Sequence, residues 1–286
     1  MSLEPLPLVV LLGMLQFVFG GYVFIAMIQK ELVVASSRKG FVTALCVTYV
    51  PFTYLMLFMS FSIVDQIDQL YFISFGGSRT ILQFSFVLMV LFSSMHFLTV
   101  WRAGSKKILS SLKLRIAINN LLIALSIAIL FIIFLSFKTT ILGLVFLVLH
   151  SVIAGLMLGG ANTAMTWGHW YLVTPSLPKE PLVFLTGLLM KVIFVSFLFF
   201  ILMMVFQYEV LSLTKNNALN YINNPALWLR FLVGIGLTFP LVYFAFKAAQ
   251  INGMMTATGL LYLALGAILA GAFLSNALLF EIGIPT

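Results

Sequence analysis

Residues 182–206 of this 286-residue chain read LVFLTGLLMKVIFVSFLFFILMMVF, and Lys191 is the one charged residue among them. An α-helix needs about 20 mostly apolar residues to cross the roughly 30 Å hydrocarbon core of a bilayer. A transmembrane β-strand would instead alternate apolar and polar residues over about ten positions. The segment therefore predicts a membrane-spanning helix.

Seven other segments have the same character. The eight predicted spans are residues 7–28, 41–64, 80–101, 116–137, 140–165, 182–206, 229–248 and 254–280. The longest connections between them hold about twenty residues, which is too few for an independent domain. We therefore expect an all-α integral membrane protein, a bundle of about eight transmembrane helices that forms one polytopic domain over residues 1–286.

The composition excludes several classes of protein. Hydrophobic residues make up 63% of the chain and charged residues 8%, whereas a soluble domain has roughly 45–50% and about 25%. A cytosolic enzyme, a secreted disulfide scaffold and a disordered regulator are therefore excluded. Cys46 is the single cysteine, so no intramolecular disulfide can form. The net charge of +8 does not indicate nucleic-acid binding, because basic residues in such a chain first set its topology.

Lysine and arginine residues are unevenly distributed between the two sides of the predicted bundle. The first, third, fifth and seventh connections together contain ten of them. The opposite side contains four, namely Arg79, Lys138, Lys215 and Arg230. The positive-inside rule predicts that the basic loops are cytoplasmic and that both termini lie on the non-cytoplasmic side. We expect a multi-pass protein of the plasma (inner) membrane.

Three histidines are candidate cofactor ligands and metal ligands. His96 lies in the third span, His150 in the fifth, and His169 just beyond the fifth. Intramembrane histidines bind haem iron, relay protons or contact quinones. The alternative is a structural role, in which His96 bonds to Ser93 and His150 to Ser151.

A b-type haem with two histidine ligands requires both at nearly the same depth. Helical rise places His96 and His150 about 12 Å apart in depth, which disfavours that pair. If the fifth helix instead continues through His169, this residue approaches the level of His96. Arg102 would then face a haem propionate. The pattern permits a haem without requiring one.

Lys191 and the segment 159–175 supply the other candidate residues. Lys191 lies about 15 Å from the cytoplasmic end of the sixth span, so it is a candidate contact for a quinone headgroup or a proton site. The alternative is a backbone contact or a subunit interface. The segment reads GGANTAMTWGHWYLVTP, in which Asn162 and Trp170 are candidate cofactor contacts. It predicts a pocket between the third, fifth and sixth spans, although aromatic residues also anchor proteins at membrane interfaces.

The chain lacks the sequence signatures of common enzymes. It has no Walker loop, no His-Glu-x-x-His signature and no Gly-x-Ser-x-Gly elbow. Three classes of function remain. The first is a subunit of an electron-transfer complex that binds b-type haem, quinol or both. The second is a cofactor-free scaffold or accessory subunit, and the third is a transporter for a lipid-like or neutral solute. The expected partners are membrane lipid and other membrane-protein subunits, not nucleic acid.

Overall fold

The computed structural model describes residues 6–31, 38–67, 78–102, 108–137, 140–174, 177–210 and 223–282. Eight helices form this part of the chain, each with a stretch long and apolar enough to cross a membrane. They are α1 (Leu6–Glu31), α2 (Arg38–Ile67), α3 (Ser78–Trp101), α4 (Ile108–Leu135), α5 (Ile141–Val173), α6 (Glu180–Val210), α7 (Pro225–Gln250) and α8 (Met254–Ile282). The prediction of an all-helical chain with eight apolar spans is confirmed. Among the basic residues counted for the topology, Lys106, Lys107, Lys138 and Lys215 lie outside the described residues.

Helix α1 is the centre of the bundle. Its span is 83% buried, whereas the other seven spans are between 33% and 56% buried. It packs against α2, α4, α5 and α8, with the most extensive contact on α5. Gly20 and Gly21 of α1 permit this central position, because a methyl group on either would overlap a neighbouring helix.

Glycines bring α1 and α5 into backbone contact. A methyl group at Gly159 would overlap the backbone of Gly20 and Gly21, and one at Gly20 would overlap the carbonyl of Gly155. Small residues four apart allow helices in membranes to approach this closely, because packing rather than hydrophobic burial drives their association. Within the segment 159–175, Gly159 therefore serves to pack α5 against α1.

The end of α5 differs from the prediction. The helix was expected to end at residue 165 and instead continues to Val173. Trp167 is buried and contacts Phe41 edge to face, with ring centroids 4.8 Å apart. Trp170 packs over Gly40 at the start of α2. The helix continues because these aromatic side chains pack on another helix instead of anchoring a loop at the membrane interface.

Helix α7 contains a wide turn. An α-helical piece, Pro225–Phe231, leads into a π-helical turn over Leu232–Leu237, which is followed by a second α-helical piece, Thr238–Gln250. Pro240 follows the turn closely. In a regular α-helix its ring would clash with the carbonyl group one turn earlier. A π turn adds one residue to the helix. In a regular helix, Phe231 would lie two turns before the buried Thr238 and on the same inward face. The added residue places Arg230 at that inward position instead.

The remaining helices form two groups around α1. Helix α3 packs on α2 and α4, whereas α6 packs on α5 and α7. Helix α8 closes the second group by packing on α5 and α7. Among the described residues, no extensive contact joins α3 to α5 or α6. The pocket expected between the third, fifth and sixth spans stays a prediction.

Candidate functional site

Buried polar residues form two clusters on different faces of α1. The Gln16 cluster consists of Gln16, His150, Ser151, Arg230, Ser275 and Asn276. The Tyr22 cluster consists of Tyr22, Cys46, Tyr49, His96 and Asn162. Polar groups in a membrane span need partners inside the protein, because lipid offers them none. The two clusters are therefore the places where the bundle either stabilises itself or binds something.

Reciprocal hydrogen bonds hold the Gln16 cluster together. Gln16 Nε2 donates to Ser151 Oγ at 3.2 Å and to Asn276 Oδ1 at 3.1 Å. Asn276 Nδ2 in turn donates to Gln16 Oε1 at 3.0 Å. Three helices, α1, α5 and α8, are joined by these bonds. Since His150 precedes Ser151 and Ser275 precedes Asn276 in the chain, the network also fixes the positions of those two neighbours.

His150 occupies the middle of this cluster. Its Nε2 lies 3.3 Å from Ser275 Oγ, within hydrogen-bond distance. Its ring lies 6.1 Å from that of Phe199, centroid to centroid. Arg230 is close enough to His150 for the two side chains to interact electrostatically. An imidazole that is held by a hydroxyl can donate or accept a hydrogen bond with a bound group.

Sequence analysis missed Arg230, which it assigned to the basic-poor connection as a topology charge. The structure places this residue within α7 with only 5% of its surface exposed. A cation at such a position is expensive and is by default a functional candidate. One feature of the sequence indicated a position within a helix, because Arg230 comes just after the start of the predicted apolar span 229–248. The π turn that directs it inward could not be predicted from that position.

A small niche adjoins Arg230 between α5, α7 and α8. Its lining consists of Ala154, Met157, Arg230, Gly234, Ile268, Gly271 and Ala272. Gly234 and Gly271 bring α7 and α8 together, because a methyl group on Gly271 would lie 2.5 Å from the Cα of Gly234. The niche is partly open and about the size of one water molecule. Its lining is apolar except for the arginine, so a ligand that enters with a single oxygen atom would meet a guanidinium.

The Tyr22 cluster is tightly packed. Cys46 Sγ lies 3.4 Å from His96 Nδ1, and the Tyr22 ring meets the His96 ring edge to face at 5.8 Å. Asn162 Nδ2 donates to Tyr49 Oη at 2.8 Å. Asn162 was predicted to contact a cofactor, and the structure gives its amide a tyrosine as a partner instead. The cluster joins α1, α2, α3 and α5.

The other predicted site residues lie apart from both clusters. His169 is exposed, and its Nδ1 lies 3.2 Å from Tyr262 Oη on α8. Arg102 is exposed just after the end of α3. Trp170 covers Gly40, as described above. The residues predicted to form one site are therefore distributed over several separate places.

Lys191 also faces outward. It lies in the middle of α6 and its side chain is exposed at the surface of the bundle. A charged residue at the centre of a bilayer costs about 2.5–3.5 kcal/mol on insertion scales. For Lys191 the sequence left a ligand contact and a subunit interface open, and the outward position directs it to the surroundings of the bundle.

Two of the three histidine pairs do not fit a haem with two histidine ligands, and a haem between His96 and His169 stays a prediction. His150 and His169 are nineteen residues apart on α5, which corresponds to about 28 Å along the axis. His96 contacts Tyr22, whereas Ser151, the neighbour of His150, bonds to Gln16. Tyr22 and Gln16 lie on different faces of α1, about 9 Å apart along that helix. Among the described residues, no group of three or more His, Cys, Asp or Glu side chains could hold a metal ion. A haem with a single histidine ligand stays a prediction.

Comparisons with known proteins add no relative. No protein family, curated protein or solved structure matches this chain. The function must therefore be argued from the buried polar groups and their surroundings.

The amide pair of Gln16 and Asn276 gives the first testable prediction. We expect Gln16→Leu to lower the free energy of unfolding by about 1–3 kcal/mol, because it leaves the buried Asn276 amide without its partner. We expect Gln16→Leu combined with Asn276→Leu to cost less than the sum of the two single changes, since no amide is then left unpaired. Unfolding of the purified protein in detergent measures all three variants. Additive losses would contradict the hydrogen-bonded pair.

Proposed function

We propose that the chain is a plasma-membrane subunit of an electron-transfer complex and that it binds a quinol or quinone headgroup at the Arg230 niche. The observation that carries this proposal is a buried arginine beside His150 at an otherwise apolar niche. The orientation proposed with it follows the positive-inside rule, with the basic loops in the cytoplasm and both termini outside.

The chemistry of the niche suits a quinone. A quinone presents carbonyl oxygens on a lipophilic body, and it takes up two electrons and two protons to become the quinol that carries them between membrane complexes. A guanidinium in low-dielectric surroundings is a strong hydrogen-bond donor to such an oxygen. Because the niche is small, one carbonyl oxygen would enter it while the isoprenoid tail stays among lipid chains.

Each nearby residue then has a defined task. Arg230 donates hydrogen bonds to the oxygen of the headgroup, and His150 forms a hydrogen bond with it. Ser275 holds the His150 ring through its hydroxyl at 3.3 Å. The bonds between Gln16 and Asn276 fix α8 against α1 and so fix the position of Ser275. Electron acceptors would belong to partner subunits.

A cofactor-free accessory subunit is the second candidate. The outward position of Lys191 favours it, because a cation in the middle of a span suits contact with another protein. The two candidates share the role of a subunit and differ in whether the niche holds a ligand. Cofactor content distinguishes them.

The cofactor content of the purified protein is the experiment that tests the proposal. We expect organic extraction of the detergent-purified chain to release about one quinone per chain. We expect its reduced-minus-oxidised visible spectrum to lack the sharp α-band of a haem with two histidine ligands, because His96 and His150 already contact Cys46 and Ser275. Preparations without quinone would favour the accessory subunit. An α-band that His96→Ala or His150→Ala removes would restore the haem prediction.

A further inference from the structure

The depth of Lys191 in α6 is the starting observation. The apolar span of this helix is Glu180–Val205, and Lys191 lies eleven residues from its start and fourteen from its end. These separations correspond to about 16 Å and about 21 Å along the axis. A lysine side chain can extend along a helix towards the membrane surface, but its four-carbon stem cannot cover either distance.

The bundle itself does not neutralise this cation. The Lys191 side chain is exposed, while Leu189 and Ile193 of the same helix turn into the core. Within the described part of the chain, no hydrogen bond or ion pair reaches its ammonium group. Glu180, the acidic residue at the start of α6, lies three turns away along the helix. A partner for the charge must therefore come from outside the bundle.

The residues around Lys191 form an apolar ridge along one face of α6. Phe194, Val195 and Leu198 follow it at spacings of three, four and seven residues, and Phe184 precedes it by seven. These side chains are between 43% and 53% exposed. Residues at such spacings share one face of a helix, so the ridge is continuous and has the cation at its centre. This pattern suits contact with a second helix.

We propose that this face of α6, centred on Lys191, binds a transmembrane helix of a partner protein that carries an aspartate or glutamate at the same depth. Intramembrane charges commonly pair with one another, because pairing removes the cost of each charge in lipid. A second copy of this chain would bring Lys191 against Lys191 and would be repelled. The phosphate of a lipid headgroup lies at the membrane surface, beyond the reach of the side chain. The inference rests on the proposed role as a subunit and does not depend on quinol binding.

Site-specific photocrosslinking in cells that contain the whole complex tests this inference. Benzoylphenylalanine replaces Phe194, one turn from Lys191, or replaces Phe84 on α3, which is 60% exposed and serves as the control position. We expect an adduct from position 194 alone, with a protein whose crosslinked span contains a carboxylate near its centre. We expect Lys191→Met to reduce that adduct at least tenfold, because methionine keeps an unbranched stem and removes the charge.

A charge exchange makes the result specific. We expect Lys191→Glu to abolish the adduct and a lysine in place of the carboxylate of the partner to restore it. An adduct with lipid alone, an adduct with a second copy of the chain, or an adduct that Lys191→Met leaves unchanged would each overturn the inference. Quinone titration of purified Lys191→Met should match the unaltered protein. Failure of quinone binding in the unaltered protein would overturn the proposed function and leave the crosslinking result standing.

Discussion

Gly159→Ala should lower the free energy of unfolding by at least about 3 kcal/mol. This is the upper part of the range for overpacked cores. The added methyl group would overlap the backbone of Gly20 and Gly21 on α1. Backbone atoms cannot move aside by a change of rotamer, so α1 and α5 must separate. We expect the midpoint of thermal unfolding in detergent to fall by roughly 10 °C, given the usual relation between free energy and midpoint.

Gly266→Ala is the matched control for this change. Gly266 lies within α8, and a methyl group there would meet nothing within 4 Å. Alanine favours a helix by about 1 kcal/mol over glycine in soluble hosts, so this variant should be as stable as the unaltered protein or slightly more so. If both variants unfolded at the same temperature, the backbone contact between α1 and α5 would be contradicted.

Hydropathy predicted the number of helices, because a long apolar segment without charges has few alternatives to a membrane span. It failed at the end of α5. The stretch with Trp167, Gly168 and His169 reads as an interfacial belt, and a buried tryptophan looks the same in sequence as an anchoring one. The distinction depends on Phe41 and Thr258, which pack against this stretch from α2 and α8. Such contacts join distant parts of the chain and leave no local signal.

Lys191 and Arg230 show that the inward or outward direction of a side chain also depends on contacts that the sequence does not reveal. For Lys191 the sequence left a ligand contact and a subunit interface open, and the side chain faces outward, whereas Arg230 was assigned to a connection and is buried. Depth along a helix can be counted from the sequence, but the face that a residue presents depends on which neighbours the helix meets. For Arg230 it depends also on the π turn at Leu232–Leu237, which shifts the inward face by one residue.

The histidines were identified correctly as unusual residues, and the structure gives each a different partner. His96 meets Cys46, His150 meets Ser275 and His169 meets Tyr262. The sequence suggested structural bonds to Ser93 and Ser151, the serines nearest along the chain. Those two serines bond elsewhere, Ser93 to Thr53 on α2 and Ser151 to Gln16 on α1.

Arg230→Met should weaken binding of a short-chain quinone to the purified chain by about 10- to 100-fold. This range corresponds to the loss of a hydrogen bond from a charged donor, about 1.5–3 kcal/mol. Methionine keeps much of the apolar stem and removes the guanidinium, so the niche keeps its walls. Arg230→Lys should give an intermediate affinity, because it keeps the charge and loses the planar fork of donors. Quenching of tryptophan fluorescence during a quinone titration measures each dissociation constant.

Lys247→Met provides the control on the same helix. Lys247 is exposed near the other end of α7, with its ammonium group 5.8 Å from the centroid of the Tyr243 ring. Its removal should leave quinone affinity unchanged. A long-chain fatty acid is the second control, since its carboxylate could also meet Arg230. If the fatty acid displaced quinone completely at equal concentration, the niche would be a general site for anionic lipid and the quinone proposal would fail.

Photoaffinity labelling with an azidoquinone, followed by mass spectrometry of the labelled peptides, tests the central claim most directly. The Arg230 niche predicts label on the α5 and α8 segments that line it, around Ala154–Met157 and Ile268–Ala272. It also predicts that excess quinone prevents this label and that Arg230→Met reduces it at least tenfold. Label spread evenly over the lipid-facing surface, or label confined to the Tyr22 cluster, would contradict quinone binding at Arg230.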